Sequence, residues 1–574
     1  MADTHARSQR RRAERKAAAS PPPARPSGPG LFDRLTTAAP WKLALAFALL
    51  HAVLAVMAFN PTPYVGGDNA TYMALAQALA EKHRYIELWD PAMRPHTQYP
   101  PLWPAFLAVL WTLGLRGWMV MKVVVLLCSA AAVALSYLWL RRTSTPGIAF
   151  GAALVLAFAP GVLDLSHWEL SDQPAWVLTM LAFWASTHLA GAPERERDVV
   201  DRRHGLWLGV FVAGVVLGNF VRAAGLPLVV AAAAWLVLRR QRRNLAVLAA
   251  AFLPPAFLWW LWGHVNGAPG YTSFLLYVDP YVPALGKVGV GGMLERLLTN
   301  AGRYTGMHMN VVFFWSDAFK SMVTVPLALL AVAGWVRRLK KPGLVEVWVP
   351  LYVALLLVWP PTWSGERFLL PLAPVLLCYA GEALRDAAAV PGVPALARVV
   401  PATAAALLLI LAIPGTERVV AVGHECTAMM AAGETIPCMN DEYHDFLKLA
   451  EITRGKLPPG SVALSRKATF WYALSGYQSR TYPLSADPDT FFAFARRSGA
   501  QYVVFDNIRD LAPRYLHPVL AARQKDFCVV DPGLHLPNAT LLRIDPGPPP
   551  PPGTPDNVFR LCRPVPQWGA PPPR

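Results

Sequence analysis

"PPLWPAFLAVLWTLGL", Pro100 to Leu115, decides how this chain is threaded. It is apolar enough to suggest a membrane span, but it is short, opens with Pro-Pro and carries a third proline at Pro104. A helix needs about 20 apolar residues to cross the hydrocarbon, and shorter segments tend to lie along the interface or re-enter it. The basic clusters settle the choice. If the stretch does not cross, Arg141-Arg142, the loop "PERERDVVDRRH", "RRQRRN" (239–244) and "RRLKK" (337–341) all fall on the side of the basic N-terminal tail. If it crosses, every one of them changes side. The positive-inside bias favours the first count. The stretch is therefore expected to lie along the surface, as is "TYMALAQALAEKH" before it, with Tyr72, Leu75, Leu79 and Trp89 as an apolar face on the bilayer.

The composition agrees with a membrane protein. Of 574 residues, 54% are hydrophobic and 16% charged, where soluble domains carry about 25% charged residues. A net charge of +17 in a soluble chain would point to nucleic acid, but here the basic residues stand in short clusters between apolar runs, which is a topology signal. Spans are expected near 42–59, 118–139, 146–163, 173–190, 206–221, 224–238, 245–263, 322–336, 344–360, 368–384 and 399–415. The fold class is thus a polytopic α-helical membrane protein of about eleven transmembrane helices with a small non-cytoplasmic C-terminal α/β domain. Residues 1–40, with "ARSQRRRAERK", read as a disordered basic cytoplasmic tail against anionic lipid. Residues 41–416 form the membrane domain, with a long first exterior loop at 60–117. Residues 417–545 form the exterior domain, and 546–574 a Pro-rich tail.

In the C-terminal part, residues 441–454, "ATFWYALSG" and "DPDTFFAFARRSG" predict helices, while "SVALS", "AQYVVFDN", "DFCVVD" and "ATLLRID" predict strands. There is no Gly-rich phosphate loop and so no nucleotide site. Four cysteines lie here: Cys426, Cys438, Cys528 and Cys562. An even number in an oxidising compartment permits two disulfides in three connectivities; proximity favours Cys426–Cys438 and Cys528–Cys562, and free thiols or a single pair remain open.

Carboxylates at the membrane edge are candidates for chemistry. Asp68, after Gly66-Gly67, stands where a helix N-cap would stand. In "DLSHWELSDQPAWVL", Asp164, His167, Glu169 and Asp172 precede a span, and Asp172 before Gln-Pro also suits a helix start. Two such acids in one cleft could divide labour, one taking a proton from an acceptor hydroxyl and the other orienting it or helping to hold a divalent cation. Arg222 in "GNFVRAAGLP" and Arg367 in "PPTWSGERFLLPLAP" are cations where the positive-inside bias would not put them, and a guanidinium fork suits phosphate. The bland alternatives are a snorkelling Arg222 and an Arg367 paired to Glu366 or an Asp. Arg303, His308 and Lys287 are lesser candidates. His96, His167 and His308 show no zinc-binding spacing, so the metal assignment stays unknown, with Asp68, Asp172 and His167 as its possible ligands.

Taken in order, "GGDNATYMALAQAL", "HTQYPPLWPAFLAVLWTLGL", "ELSDQPAWVLTMLAFW", "GNFVRAAG" and "ERFLLPLAP" resemble the GT-C superfamily of polyprenyl-phosphate-sugar-dependent glycosyltransferases, which includes protein O-mannosyltransferases and the lipid A aminoarabinose transferase. The resemblance covers roughly residues 40–510 and rests on the order and sidedness of the elements. It implies that Asp68 is the catalytic acid of the first loop, acting as base, that Asp172 is the carboxylate of the second, and that Arg367, with Arg222, meets the donor's phosphate. One departure stands out: several relatives have a Lys before the Pro-Pro, where this chain has Tyr99, so either Arg94, His96 or an Arg elsewhere substitutes, or the donor differs. The implied partners are a polyprenyl-phosphate sugar donor and a lipid, glycan or protein acceptor at the cell membrane; nucleic acid is not among them. A lipid or glycan transporter and a non-catalytic envelope-assembly protein are the alternatives.

Overall fold

The computed structural model describes residues 39–189, 202–267, 274–315, 320–544 and 560–562. The basic N-terminal tail, most of the loop "PERERDVVDRRH" and nearly all of the Pro-rich tail lie outside the described residues. Each of the eleven expected spans coincides with a helix. Among the described residues, six helices have by themselves the length and hydropathy to cross a membrane: Pro40–Met57, Trp118–Thr143, Arg202–Val221, Arg242–Val265, Ser321–Arg338 and Leu396–Ala431. Shorter apolar helices, Pro146–Phe158, Ala223–Leu238 and Leu344–Val358 among them, pack between these. Prolines set several starts, at Pro146, Pro160, Pro227 and Pro374, where the missing N–H costs nothing.

The bundle core is aromatic, with Trp139, Trp176, Phe183, Trp235 and Trp348 fully buried. Outward faces stay apolar: Leu253, Phe257, Leu258 and Trp260 on the helix Arg242–Val265 are exposed, the surface expected of a protein immersed in lipid. Small residues let helices approach. The helices Asp172–Leu189 and Arg202–Val221 meet at Gly214, where a Cβ would lie 2.8 Å from the carbonyl of Leu178. At one end of the bundle, Arg142 Nε donates to Thr187 Oγ1 at 2.7 Å, and Arg338 pairs with Glu382 at 2.6 Å and donates to the carbonyl of Thr143. Asp172 and Arg222 lie at the far ends of their helices from this basic cluster.

"LWPAFLAVLWT" forms the helix Leu102–Thr112, 11 residues long, hence about 16 Å, half the hydrocarbon thickness. Trp103 and Leu107 face the protein, while Phe106, Val109 and Leu113 are exposed. The helix Asn69–Lys82 corrects the expectation made for it. Tyr72, Leu75 and Trp89 are buried and Leu79 is half-buried, because the helix is sandwiched between Leu102–Thr112 and the C-terminal domain. Tyr72 packs with Trp103 and Leu107, and Leu75 with Trp89 and Ala468. The exposed apolar face belongs to the other helix, Leu102–Thr112.

The C-terminal domain is a mixed sheet with strands Val462–Leu464 (β1), Gln478–Arg480 (β2), Tyr502–Asp506 (β3), Phe527–Val529 (β4), His535–Leu536 (β5) and Ala539–Ile544 (β6). The order is β2-β1-β3-β6-β4, with β5 also on β6; β1 runs parallel to β2 and β3, and β6 antiparallel to β3 and β4. The helix Ala468–Ser475 ends at Gly476, in the left-handed region at φ 80°. Pro488–Ser498 starts at Asp487, whose carboxylate accepts from the Thr490 amide at 2.9 Å. Both favoured disulfides are present, Cys426–Cys438 and Cys528–Cys562. The first tethers the helix Leu396–Ala431, which continues well beyond its predicted span, to the segment leading into the domain.

The first loop docks on the β2 edge of this sheet. The Ser479 amide donates to the Trp89 carbonyl at 2.7 Å, and Arg480 Nε lies 3.3 Å from Asp90. Gly214→Val is expected to lower the melting temperature of the detergent-solubilised protein, corresponding to ~1–3 kcal/mol of overpacking; an unchanged melting curve would show that this helix contact is loose.

Candidate active site

Glu169 ties three segments together. Its carboxylate is fully buried, 2.8 Å from Lys122 Nζ, and accepts from the backbone amide of Tyr64 and the side-chain amide of Asn69, each at 3.0 Å. Lys122, itself 1% exposed, also donates to the carbonyl of His167 at 3.0 Å. Between these anchors the chain doubles back. A Cβ on Gly67 would lie 2.5 Å from Leu170, and one on Gly66 would collide with the Tyr64 phenol, so both glycines serve close approach. The Tyr64 ring stacks on Trp168 at 3.7 Å.

Asp68 follows at the N-cap position of Asn69–Lys82. Its carbonyl accepts the first helical bond from Tyr72, but its side chain makes no capping hydrogen bond. The carboxylate is half-buried and acts electrostatically on Arg367 and on Lys467 of the C-terminal domain.

Asp172 opens its helix and is held by two arginines. Arg222 Nη1 lies 2.9 Å from its Oδ2 and also donates to Ser171 Oγ at 3.1 Å; Arg367 Nη1 is 3.9 Å from the same oxygen. Both guanidiniums stand over the Phe368 ring, at 5.0 and 5.1 Å. Burial alone would lower the pKa of Arg367, but Asp172, Tyr64 and Asp68 raise it above the ordinary guanidinium value, so its charge is secure. Beside it, burial would raise the Glu366 carboxyl, and His308, with Nδ1 3.4 Å away, outweighs it and leaves Glu366 below its usual range. Ser364 takes Arg303 Nε at 3.1 Å and lies 3.3 Å from His308 Nε2. Arg367 is thus paired with Asp172 and not with Glu366, and Arg222 is a half-buried partner of the same carboxylate, not a snorkelling cation.

Other expected site residues are engaged elsewhere. Arg94 pairs with Asp90 at 2.6 Å and Glu87 at 3.6 Å, and is 54% exposed. His96 is buried, with Nδ1 3.0 Å from Glu87 and Nε2 accepting from the Tyr99 amide at 3.1 Å. These contacts hold the first loop in shape. His167 lies 3.6 Å from Asp164. Among the described residues no three His, Cys, Asp or Glu side chains gather as a metal site, so Asp68, Asp172 and His167 form no ligand set. A cavity of about 340 Å³ lies at the opposite, basic end, lined by Arg142, Arg338 and Glu346 among others.

No protein-family model and no curated protein matches the chain. Solved structures do. ArnT from Cupriavidus metallidurans bound to undecaprenyl phosphate superposes with a TM-score of 0.54 at 14% identity, over 88% of this chain and 99% of that one. The chain shares the fold of that structure. The Archaeoglobus fulgidus oligosaccharyltransferase AglB, in complex with an inhibitory peptide and a dolichol-phosphate, matches with a TM-score of 0.51 at 12% identity, over 87% and 76% of the two chains. The same oligosaccharyltransferase tethered to an acceptor peptide containing the NVT sequon gives 0.51, again at 12% identity, over 86% and 73%. Within this fold, the sequence pointed to both acids and both arginines of the cluster but not to Lys122. Its signal was available: a lone lysine in the first turns of an apolar run, "WMVMKVVVLL", needs a buried partner.

Lys122→Met is expected to destabilise the protein by ~3–5 kcal/mol by leaving Glu169 buried and unpaired, with partial recovery in Lys122→Met/Glu169→Gln; thermal unfolding of the three variants measures this. The Asp506 carboxyl is fully buried and is pushed up to about 7 by that burial, against the opposing pull of the Ile508 amide, Arg466 and Lys467. Because this folded-state value lies above the 3.8 of an unperturbed Asp, its contribution to stability is full below pH ~4 and is lost as pH rises through about 7. Asp506→Asn is therefore expected to raise the melting temperature at pH 8 and not at pH 4.

Proposed function

We propose that the protein is a membrane glycosyltransferase that moves a sugar from a polyprenyl-phosphate donor to an acceptor at the outer face of the cytoplasmic membrane, with Asp68 as the base. The observation that carries this reading is that Asp68 occupies a helix N-cap position yet leaves its carboxylate out of the cap, beside the arginine that also holds Asp172. A carboxylate needed only for capping would bond the orphan amides.

The sidedness follows from parity. The helix Leu102–Thr112 is too short to cross, so eleven crossings put Arg141-Arg142, Arg239–Arg243 and Arg337–Lys341 in the cytoplasm and Asp68, Asp172 and the C-terminal domain outside. Two disulfides in that domain agree with an oxidising compartment.

The chemistry suits the layout. A long isoprenoid tail must stay in lipid, which brings the anomeric carbon to the membrane edge. Asp68 takes the proton of the acceptor hydroxyl as its oxygen attacks that carbon, and the bond to the donor phosphate breaks. Arg367 and Arg222 stabilise the charge that grows on the departing polyprenyl phosphate, and Asp172 aims them. A transporter would place such groups near mid-bilayer on broken helices, whereas here they gather at one end of the bundle.

In membranes supplied with a labelled polyprenyl-phosphate sugar, Asp68→Asn is expected to cut transfer by ~10²-fold or more, the usual worth of a positioned base, with no change in melting temperature. Near-normal turnover by that variant refutes the assignment.

A further inference from the structure

Three cations of the C-terminal domain gather beside the Asp68 loop and, among the described residues, none is in ion-pair contact with a carboxylate. Lys467 Nζ donates to the carbonyl of Val65 at 2.8 Å, three residues before Asp68. Arg466 lies over the Tyr281 ring at 4.9 Å, and Arg509 over the same ring at 5.9 Å. Among the described residues, none of the three has an Asp or Glu oxygen within 4.0 Å, whereas Arg94, Arg222, Arg338 and Arg480 each have one. Arg466 Nε is buried with no hydrogen-bond partner. Arg509 is exposed and held at φ 52°, ψ 31°, a left-handed conformation unusual for a side chain of its size.

The surroundings do not account for this charge. Asp506 lies beneath the group, but burial outweighs the cations there and leaves its carboxyl titrating at about 7, so it is a poor counter-ion. The Lys467 amine is drawn down to about 8, first by burial and then by Arg466 and Arg509, against a smaller opposing pull from Asp68 and Asp506. The aromatic floor adds a surface that suits a sugar or a planar anion: Tyr281 stands edge-on to Trp363 at 6.3 Å, and the Tyr515 hydroxyl donates to the Tyr281 carbonyl at 2.9 Å. An unpaired cluster of this kind is stabilised by an anion brought from outside.

We propose that Arg466, Lys467 and Arg509 form an acceptor subsite that receives a phosphate or carboxylate carried by the molecule to be glycosylated. The inference rests on the glycosyltransferase reading and deepens it, since that reading already assigns Arg222 and Arg367 to the donor's phosphate. Lys467, bonded to the Val65 carbonyl, also fixes the height of the Asp68 loop under the bound anion and so acts as a positioning residue.

The test uses the full chain in uncharged nanodiscs, with three probes followed by ligand-induced thermal stabilisation: inorganic phosphate, glucuronate and farnesyl phosphate, with glucose as the uncharged control. Wild-type protein should be stabilised by phosphate or glucuronate and not by glucose. Arg466→Gln/Arg509→Gln should weaken that response at least tenfold in apparent Kd and leave farnesyl phosphate binding unchanged, while Arg367→Gln should do the reverse. Equal weakening of farnesyl phosphate binding in the double variant would assign the cluster to the donor and overturn the proposal. So would an undiminished response to phosphate or glucuronate, or none in the wild type. None of these outcomes depends on turnover, so a failure of the transferase reading appears separately, as absent transfer by wild-type membranes.

Discussion

The buried ion pair between Lys122 and Glu169 is the constraint on which the site depends. A lysine near the start of an apolar helix cannot stay charged in the bundle without a partner, and a carboxylate at full burial cannot stay charged without a cation and donors. Each supplies what the other lacks. The remaining oxygen of Glu169 then collects the Tyr64 amide and the Asn69 side chain, while Lys122 collects the His167 carbonyl. The first loop, the second loop and the helix Trp118–Thr143 are thereby fixed relative to one another at a single point. Asp68 sits next to Asn69 in sequence, and Asp172 three residues after Glu169. One desolvated pair sets the position of both acids.

The two acids differ in what surrounds them, and that difference is chemical. Asp172 lies between two guanidiniums that share an aromatic ring, so its charge is committed to holding them. Among the described residues Asp68 makes no ion pair, and its side chain does not cap the helix it begins. One carboxylate braces arginines and the other is left without a capping bond.

Much of this was legible in the chain. The expected spans coincide with helices because lipid permits few alternatives: each backbone amide must be satisfied within its own segment, and apolar length reports that directly. The C-terminal helices and strands were readable from caps such as Asp487 and Gly476 and from β-rich runs, and the disulfides from proximity. The short strand Gln478–Arg480 was not, since nothing in "QSR" carries an alternating apolar signal; it exists because β1 offers it a parallel edge. The face of Asn69–Lys82 was misassigned for a related reason. Amphipathicity shows that a face is buried, not whether lipid or protein covers it.

By itself the sequence determined the helical class, the place of the short Pro-Pro helix, the existence of a separate mixed domain, and the two acids and two arginines that deserved notice, because hydropathy, turn chemistry and the cost of a misplaced charge are local properties. Only the tertiary structure decided which arginine meets which acid, that Arg94 and His96 hold the loop, that Lys122 and Glu169 pair, and that Arg466, Lys467 and Arg509 meet beside Asp68. Those are contacts between residues tens to hundreds of positions apart. Their energies arise from desolvation and distance in the folded chain, which no local pattern encodes.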